Sequence, residues 1–174
     1  MKKLKDLSAV IANSVFGTFI NEGIIKKPQM RYLVNDRGIS NTCFDVLFKN
    51  KKIKEGIPLN EYCYMMCFLS FGAGAFFTEK QWSLNKTVCE FSDLEIDALF
   101  AMLSKEDAIS LGFSALGIKE GSYNYDKITK AIGKTFLEIY ENIGEYLEDN
   151  QNLKGLMQIY FNLGVTLVYE RLEK

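Results

Sequence analysis

Apolar residues recur along this chain at spacings of three and four, the mark of helices buried on one face. Leu4, Leu7, Ile11, Val15 and Phe19 make one such stripe over residues 3–21, and Gly23 stands where that helix would stop. Pro58 and Asn60 announce a long helix over roughly 60–79 that is apolar on every side, so it is predicted to be central. Gly72-Ala73-Gly74-Ala75 costs this helix propensity, and close approach of a neighbouring helix is the expected compensation. Ser92-Asp93-Leu94-Glu95 has the form of a capping box, opening a helix with Leu94, Ala98, Met102 and Leu103 on one face. Ser104-Lys105-Glu106-Asp107 repeats the cap signal for a helix that ends near Gly117.

The clearest stripe is Ile128, Ile132, Phe136, Ile139, Ile143 and Leu147, in a helix predicted over roughly 125–149 and begun by Ser122 or Asn124. A polar turn, Asp149-Asn150-Gln151-Asn152, leads into residues 153–173, which carry Leu153, Leu156, Met157, Tyr160, Gly164, Leu167, Val168 and Leu172. So short a turn predicts an antiparallel helical hairpin, with Phe136, Ile139 and Ile143 buried against the last helix.

Residues 24–39 break the pattern. They hold Pro28, a β-leaning piece from Met30 to Val34 and an Asn-Asp-Arg-Gly turn, which allows a short hairpin near 28–38 or an extended loop. Ser40 or Asn41 then caps a short helix through Phe48, which runs into a basic loop of Lys49, Lys51, Lys52 and Lys54. Trp82–Phe91 reads as a connector or a short extended segment. The pattern as a whole predicts an all-α fold of about six or seven helices, a single compact domain over residues 1–174, long enough to bury a sizeable core.

Composition adds exclusions. With 48% hydrophobic and 25% charged residues, the chain matches ordinary globular proteins. The uncharged run Tyr62–Thr78 is at the lower edge of membrane-spanning length, yet Glu61 and Glu79 flank it where Lys or Arg anchors would be expected. A buried helix is the better reading, with no membrane partner. The opening Met-Lys-Lys-Leu-Lys-Asp has the charge of a signal peptide without its apolar core, so the expected location is cytoplasmic.

There are no histidines, which removes the commonest general base and metal ligand together with Cys-His and Ser-His-Asp catalysis. Cys43, Cys63, Cys67 and Cys89 sit in apolar company and are expected to pack in the core as free thiols. Cys63 and Cys67 are one helical turn apart, but Cys43 and Cys89 are too distant to complete a zinc or iron–sulfur set. Glu90, Asp93 and Asp97 share a helical spacing that an all-carboxylate Mg²⁺ site would use, although Asp93 and Glu95 already serve a helix N-terminus. Neither a phosphate loop nor a dinucleotide fingerprint occurs. The expectation is a protein that is not an enzyme and carries no cofactor and no metal.

Charge is distributed unevenly. Residues 1–60 carry 11 Lys+Arg against 5 Asp+Glu, a net of +6, while residues 61–174 carry 10 against 17, a net of −7. A pI near 5.6 argues against a nucleic-acid partner, and the lysine loop reads as solvated. Within the acidic part, Glu138, Glu141, Glu145 and Glu148 fall at i, i+3, i+7 and i+10, with no Lys or Arg between Thr135 and Leu153. Like charges one turn apart cost a helix a few tenths of a kcal/mol, roughly 0.2–0.5. A chain that keeps them is expected either to present an acidic face to a basic partner or simply to solvate it. Tyr140 and Tyr146 flank the ridge, and tyrosine beside charge is an interface composition.

A small acidic chain without catalytic equipment, bearing an acidic-aromatic helix face, resembles bacterial toxin-immunity proteins in general profile, without a shared motif. Such proteins cover a basic nuclease-like surface with carboxylates. The resemblance implies a non-catalytic protein-binding toxin inhibitor whose partner is a basic toxin or nuclease, contacted by Glu138, Glu141, Glu145, Glu148, Tyr140 and Tyr146. Two other classes remain open on the residues: a helical enzyme or small-molecule binder with a carboxylate- or lysine-based site in an apolar pocket near Gly72–Ala75, and a dimeric scaffold or regulator. A homo-oligomer is compatible with each.

Overall fold

The uncharged run Tyr62–Thr78 organises the molecule. The computed structural model describes residues 4–26, 31, 38–49, 55–86 and 90–173, and the helix holding that run, α3 (Leu59–Ser83), is buried on all sides from Met66 to Thr78. Around it lie α1 (Leu4–Asn21), α2 (Ile39–Phe48), α4 (Asp93–Lys105), α5 (Ala108–Leu116), α6 (Tyr123–Ile143) and α7 (Asn150–Leu172), with a 3₁₀ helix, Gly144–Glu148, between the last two. Seven α-helices and no strand occur among the described residues, so the fold is all-α as the periodicity predicts. The buried side chains form one continuous cluster to which every helix contributes. None of the helices is long and apolar enough to cross a membrane, among the described residues.

Glycines set how tightly α3 is held. A Cβ on Gly74 would overlap the Phe161 carbonyl of α7, and one on Gly164 of α7 would overlap the Phe71 carbonyl of α3. On the other flank, Gly112 of α5 lies directly against the backbone of Gly72. Glycine costs about 1 kcal/mol against alanine in a helix interior. Here that cost is offset by backbone-to-backbone packing, as the small-residue run predicts. The backbones of α5 and α7 fill the space beside Gly72 and Gly74.

Helix ends follow local chemistry. Ser92 accepts from the Glu95 N–H while the Glu95 carboxylate accepts from the Ser92 N–H, completing the predicted capping box. Ser122 caps α6 by accepting from the Tyr125 N–H at 3.3 Å. Gly23 ends α1 with a positive φ of 74°, the Ile24 N–H bonding the Phe19 carbonyl and the Gly23 N–H that of Ile20. The cap of α5 is Asp107, not Ser104: α4 continues through Lys105, and Asp107 accepts from the Ile109 N–H. Neither Ser40 nor Asn41 caps α2, which begins at Ile39 after Gly38 in the left-handed region, with Ser40 buried inside the helix.

Two further expectations need correction, and a third falls outside the described residues. On α4, Leu94 is 80% exposed and Ala98 is exposed, while Leu99 and Leu103 are buried, with Ile96 and Phe100 packed against the core beside them. The Ile96, Leu99, Phe100 and Leu103 stripe carries more apolar area than Leu94, Ala98 and Met102, and burial follows area. The connector drawn from Trp82 starts later, because α3 runs on to Ser83 and ends at Asn85 with a positive φ of 51°. The hairpin near 28–38 falls on residues 28–30 and 32–37, which lie outside the described residues, as do Lys51, Lys52, Lys54 and Cys89.

The predicted α6–α7 hairpin does not form as a packed pair: the two helices are joined through the 3₁₀ turn, but their backbones do not run closely side by side, and α6 packs against α1 and α3 instead. Phe136, Ile139 and Ile143 are all buried, and Thr135 of α6 meets Tyr160 of α7 through their hydroxyls at 2.7 Å. Phe136 itself packs on Tyr64 of α3, with ring centroids 5.6 Å apart, where the stripe had predicted packing against the last helix. The long packed edge of α7 lies along α3, where its glycine crossing brings the two backbones together.

Candidate functional site

The acidic ridge is carried by two kinds of helix rather than one. The α-helix expected over 125–149 stops at Ile143, whose φ of −132° and ψ of 12° break the α-helical course, and Gly144–Glu148 continues as a 3₁₀ helix. At three residues per turn, Glu145 and Glu148 eclipse each other, whereas Glu138 and Glu141 keep the α-helical stagger. The ridge is therefore two pairs of carboxylates around a change of pitch at Gly144. A Cβ on Gly144 would stand 2.8 Å from the Tyr140 ring, so the glycine lets that ring lie over the start of the 3₁₀ turn.

All four carboxylates are exposed, and none makes an ion pair among the described residues. Tyr140 and Tyr146 are half-buried and anchored. The Tyr140 ring packs on Phe136, with centroids 5.8 Å apart, and its hydroxyl pKa is pushed up by partial burial, then by Cys63 and the Glu148 carboxylate. Of the ridge glutamates, Glu148 is the one that acts on the Tyr140 hydroxyl. Tyr146 is held by its backbone, whose carbonyl accepts from the Asn152 side-chain amide at 2.9 Å. Tyr146 lies on the same 3₁₀ turn as Glu145 and Glu148.

One residue on this surface was missed by the sequence reading. Leu137 is 58% exposed and sits one position before Glu138, on the solvent side of α6. Its signal is faint but present: Leu137 lies off the Ile132–Phe136–Ile139–Ile143 stripe, so helical spacing alone sends it to water.

Other candidate chemistry resolves into structure. Cys43, Cys63 and Cys67 are free and buried, and burial pushes the Cys63 thiol up to about 11 and those of Cys43 and Cys67 well above the ordinary value. Asp93 lies in the first turn of α4, and Glu95 is occupied by the Ser92 N–H and by Lys86 at 3.1 Å, contacts that lower its pKa. No cluster of three or more His, Cys, Asp or Glu able to hold a metal ion occurs among the described residues. Of the basic loop, Lys49 is described and exposed at the C-terminal end of α2.

No family model, no curated protein and no solved structure matches this chain.

Proposed function

We propose that this chain is a non-catalytic binding protein of the immunity type, which neutralises a basic, nuclease-like bacterial toxin through the surface around Gly144. The observation that carries this reading is the set of four exposed carboxylates, Glu138, Glu141, Glu145 and Glu148, none of them ion-paired among the described residues, beside the exposed Leu137. Carboxylates of this kind steer a cationic partner and set its orientation, while an apolar side chain among them supplies contact area that charge alone does not. Tyr140 and Tyr146 add half-buried rings that lose little conformational freedom on docking. The absence of histidine and the suppressed ionisation of Cys43, Cys63 and Cys67 support a binder over an enzyme. In this reading the protein works in the cytoplasm, where those thiols stay reduced.

The test is charge reversal. Glu141→Lys with Glu145→Lys should shift stability by less than about 0.5 kcal/mol, because both positions are exposed. Co-expression with the product of the adjacent gene, followed by affinity capture and titration in rising salt, reads binding. Capture of a basic protein by the wild type, lost in the double variant and weakened by salt, supports the proposal. Equal capture by both proteins would make the ridge an ordinary solvated face.

A further inference from the structure

Four helix ends, distant in sequence, meet in a cleft of about 380 Å³. It lies between the chain just beyond α1, the C-terminal ends of α5 and α7, and the first turns of α6. Its apolar wall includes Ile24, Ile118, Ile128 and Leu167, and its polar lining is dominated by Lys26, Lys127 and Arg171. The one carboxylate lining it, Glu170, accepts from the Lys26 backbone N–H at 2.8 and 3.3 Å. No ion pair among the described residues involves Lys26, Lys127 or Arg171.

The three cations are held differently. Arg171 donates through Nη1 to the Ala115 carbonyl, and its guanidinium lies against Gly117, so it closes the C-terminal end of α5. Lys127 reaches from α6 towards the end of α1: its Nζ is 5.9 Å from the Tyr123 ring centroid and 3.9 Å from where a Cβ on Gly23 would stand. Lys127 as a residue is half-buried, and its ammonium is offered a ring face, not a carboxylate. Asn124 in the first turn of α6 brings the positive end of that helix to the cleft, while the C-terminal ends of α1, α5 and α7 bring partial negative charge that the three cations more than offset. A half-buried lysine above an apolar wall is left short of an anionic partner.

We propose that this cleft binds a small amphiphilic oxyanion, a carboxylate or phosphate head on an apolar tail, with the head at Lys127 and Lys26 and the tail along Ile24, Ile118, Ile128 and Leu167. The volume is at the lower end of the range used for small ligands. The site is separate from the acidic surface, since Lys127 and Glu141 stand about 21 Å apart along α6.

Octanoate and octyl phosphate are the probes, titrated into the full-length protein by calorimetry, with amide chemical shifts locating the site. Inorganic phosphate and 1-octanol each supply half of the chemistry. Saturable binding of one or both amphiphiles, with shifts at Ile24, Ile118 and Ile128, is expected. Lys127→Gln should weaken it at least about tenfold, the order expected for a lost charge-assisted contact. Lys130→Gln, on the exposed face of the same helix, should leave it unchanged. Circular dichroism of each variant confirms that the fold survives. The proposal is overturned if neither amphiphile binds, if Lys127→Gln binds as well as the wild type, or if inorganic phosphate or octanol alone binds as tightly as the amphiphiles.

Discussion

Gly164 of α7 lies so close to the Phe71 carbonyl of α3 that a Cβ there would overlap it and stand 2.9 Å from the Ala75 nitrogen. Gly74 makes the reciprocal contact with Phe161. The two central helices therefore touch through backbone, and the side chains on either side interlock only because nothing stands between them. Replacing Gly74 or Gly164 by Ala gains about 1 kcal/mol of helix propensity and forces two helices apart. The overlap is with backbone, which cannot rotate away, so the net loss should reach at least about 2 kcal/mol in urea denaturation. Gly17→Ala is the control: nothing lies within 4 Å of a Cβ there, and the change should be neutral or stabilising. Equal behaviour at the three positions would show that α3 and α7 do not meet through their backbones.

Thr135 and Tyr160 make an asymmetric pair. The Thr135 hydroxyl donates to the Ile132 carbonyl at 3.1 Å, so its 2.7 Å contact with Tyr160 has the phenol as donor. Tyr160→Phe removes that donor and leaves Thr135 bonded to its own helix, a loss of about 1 kcal/mol. Thr135→Val strands a fully buried phenol and should cost about 1–3 kcal/mol. Equilibrium denaturation of the two single variants checks the order; Tyr160→Phe proving the costlier would reverse the assignment.

Phe136→Ala should cost about 3–5 kcal/mol, because Phe136 is only 4% exposed and fills the space between Tyr64 and Tyr140. A loss under about 1 kcal/mol would mean that the ring contributes little to the core.

Much of this architecture was legible in the residues. All-round apolarity placed α3 at the centre, and Ser92 with Glu95 announced their own reciprocal bonds. The change of pitch at Gly144 was not, because Ile143 and Leu147 satisfy the buried stripe in either helix type, and only Gly144 itself hinted at the Tyr140 ring lying over it. On α4, Leu94 and Leu103 compete for the same description, and the choice depends on which face meets Phe77, a tertiary fact: Phe100 lies 5.2 Å from that ring. The cleft was invisible for a simpler reason. Ile24, Leu116, Lys127 and Arg171 are brought together only by the ends of four helices, and no local spacing encodes that meeting.

Stability should fall in alkali, and the sign follows from the thiols. Burial raises the pKa of Cys43, Cys63 and Cys67 in the folded protein, so each stays protonated there while its unfolded counterpart ionises above about pH 8.5. The stabilisation is fully present below that pH and is lost as pH rises, up to about 11 for Cys63, with Cys43 and Cys67 adding to the loss in the same direction. Tyr160, also raised by burial, adds to the loss above about pH 10. Urea midpoints at pH 7, 9 and 10.5 should decline in that order, and Cys63→Ala should flatten the decline between 9 and 10.5. A midpoint independent of pH over this range would contradict the burial of these groups.

Leu137 offers the sharpest separation between surface and core. It is 58% exposed on α6, one residue before Glu138, whereas its neighbour Phe136 points into the protein. Leu137→Ser should therefore change stability by less than about 0.5 kcal/mol. If the acidic surface docks a partner, an exposed leucine among four carboxylates is where contact area concentrates, and its loss should weaken the complex by about tenfold or more. The effect should lie in the dissociation rate and persist at high salt, since it is apolar in origin. Glu141→Lys should instead act on the association rate and fade as salt rises. Surface plasmon resonance at two salt concentrations, with the co-captured partner immobilised, separates the two contributions. A Leu137→Ser variant with unchanged dissociation would place the apolar centre of the interface elsewhere, and Tyr140 with Tyr146 would be the next residues to truncate.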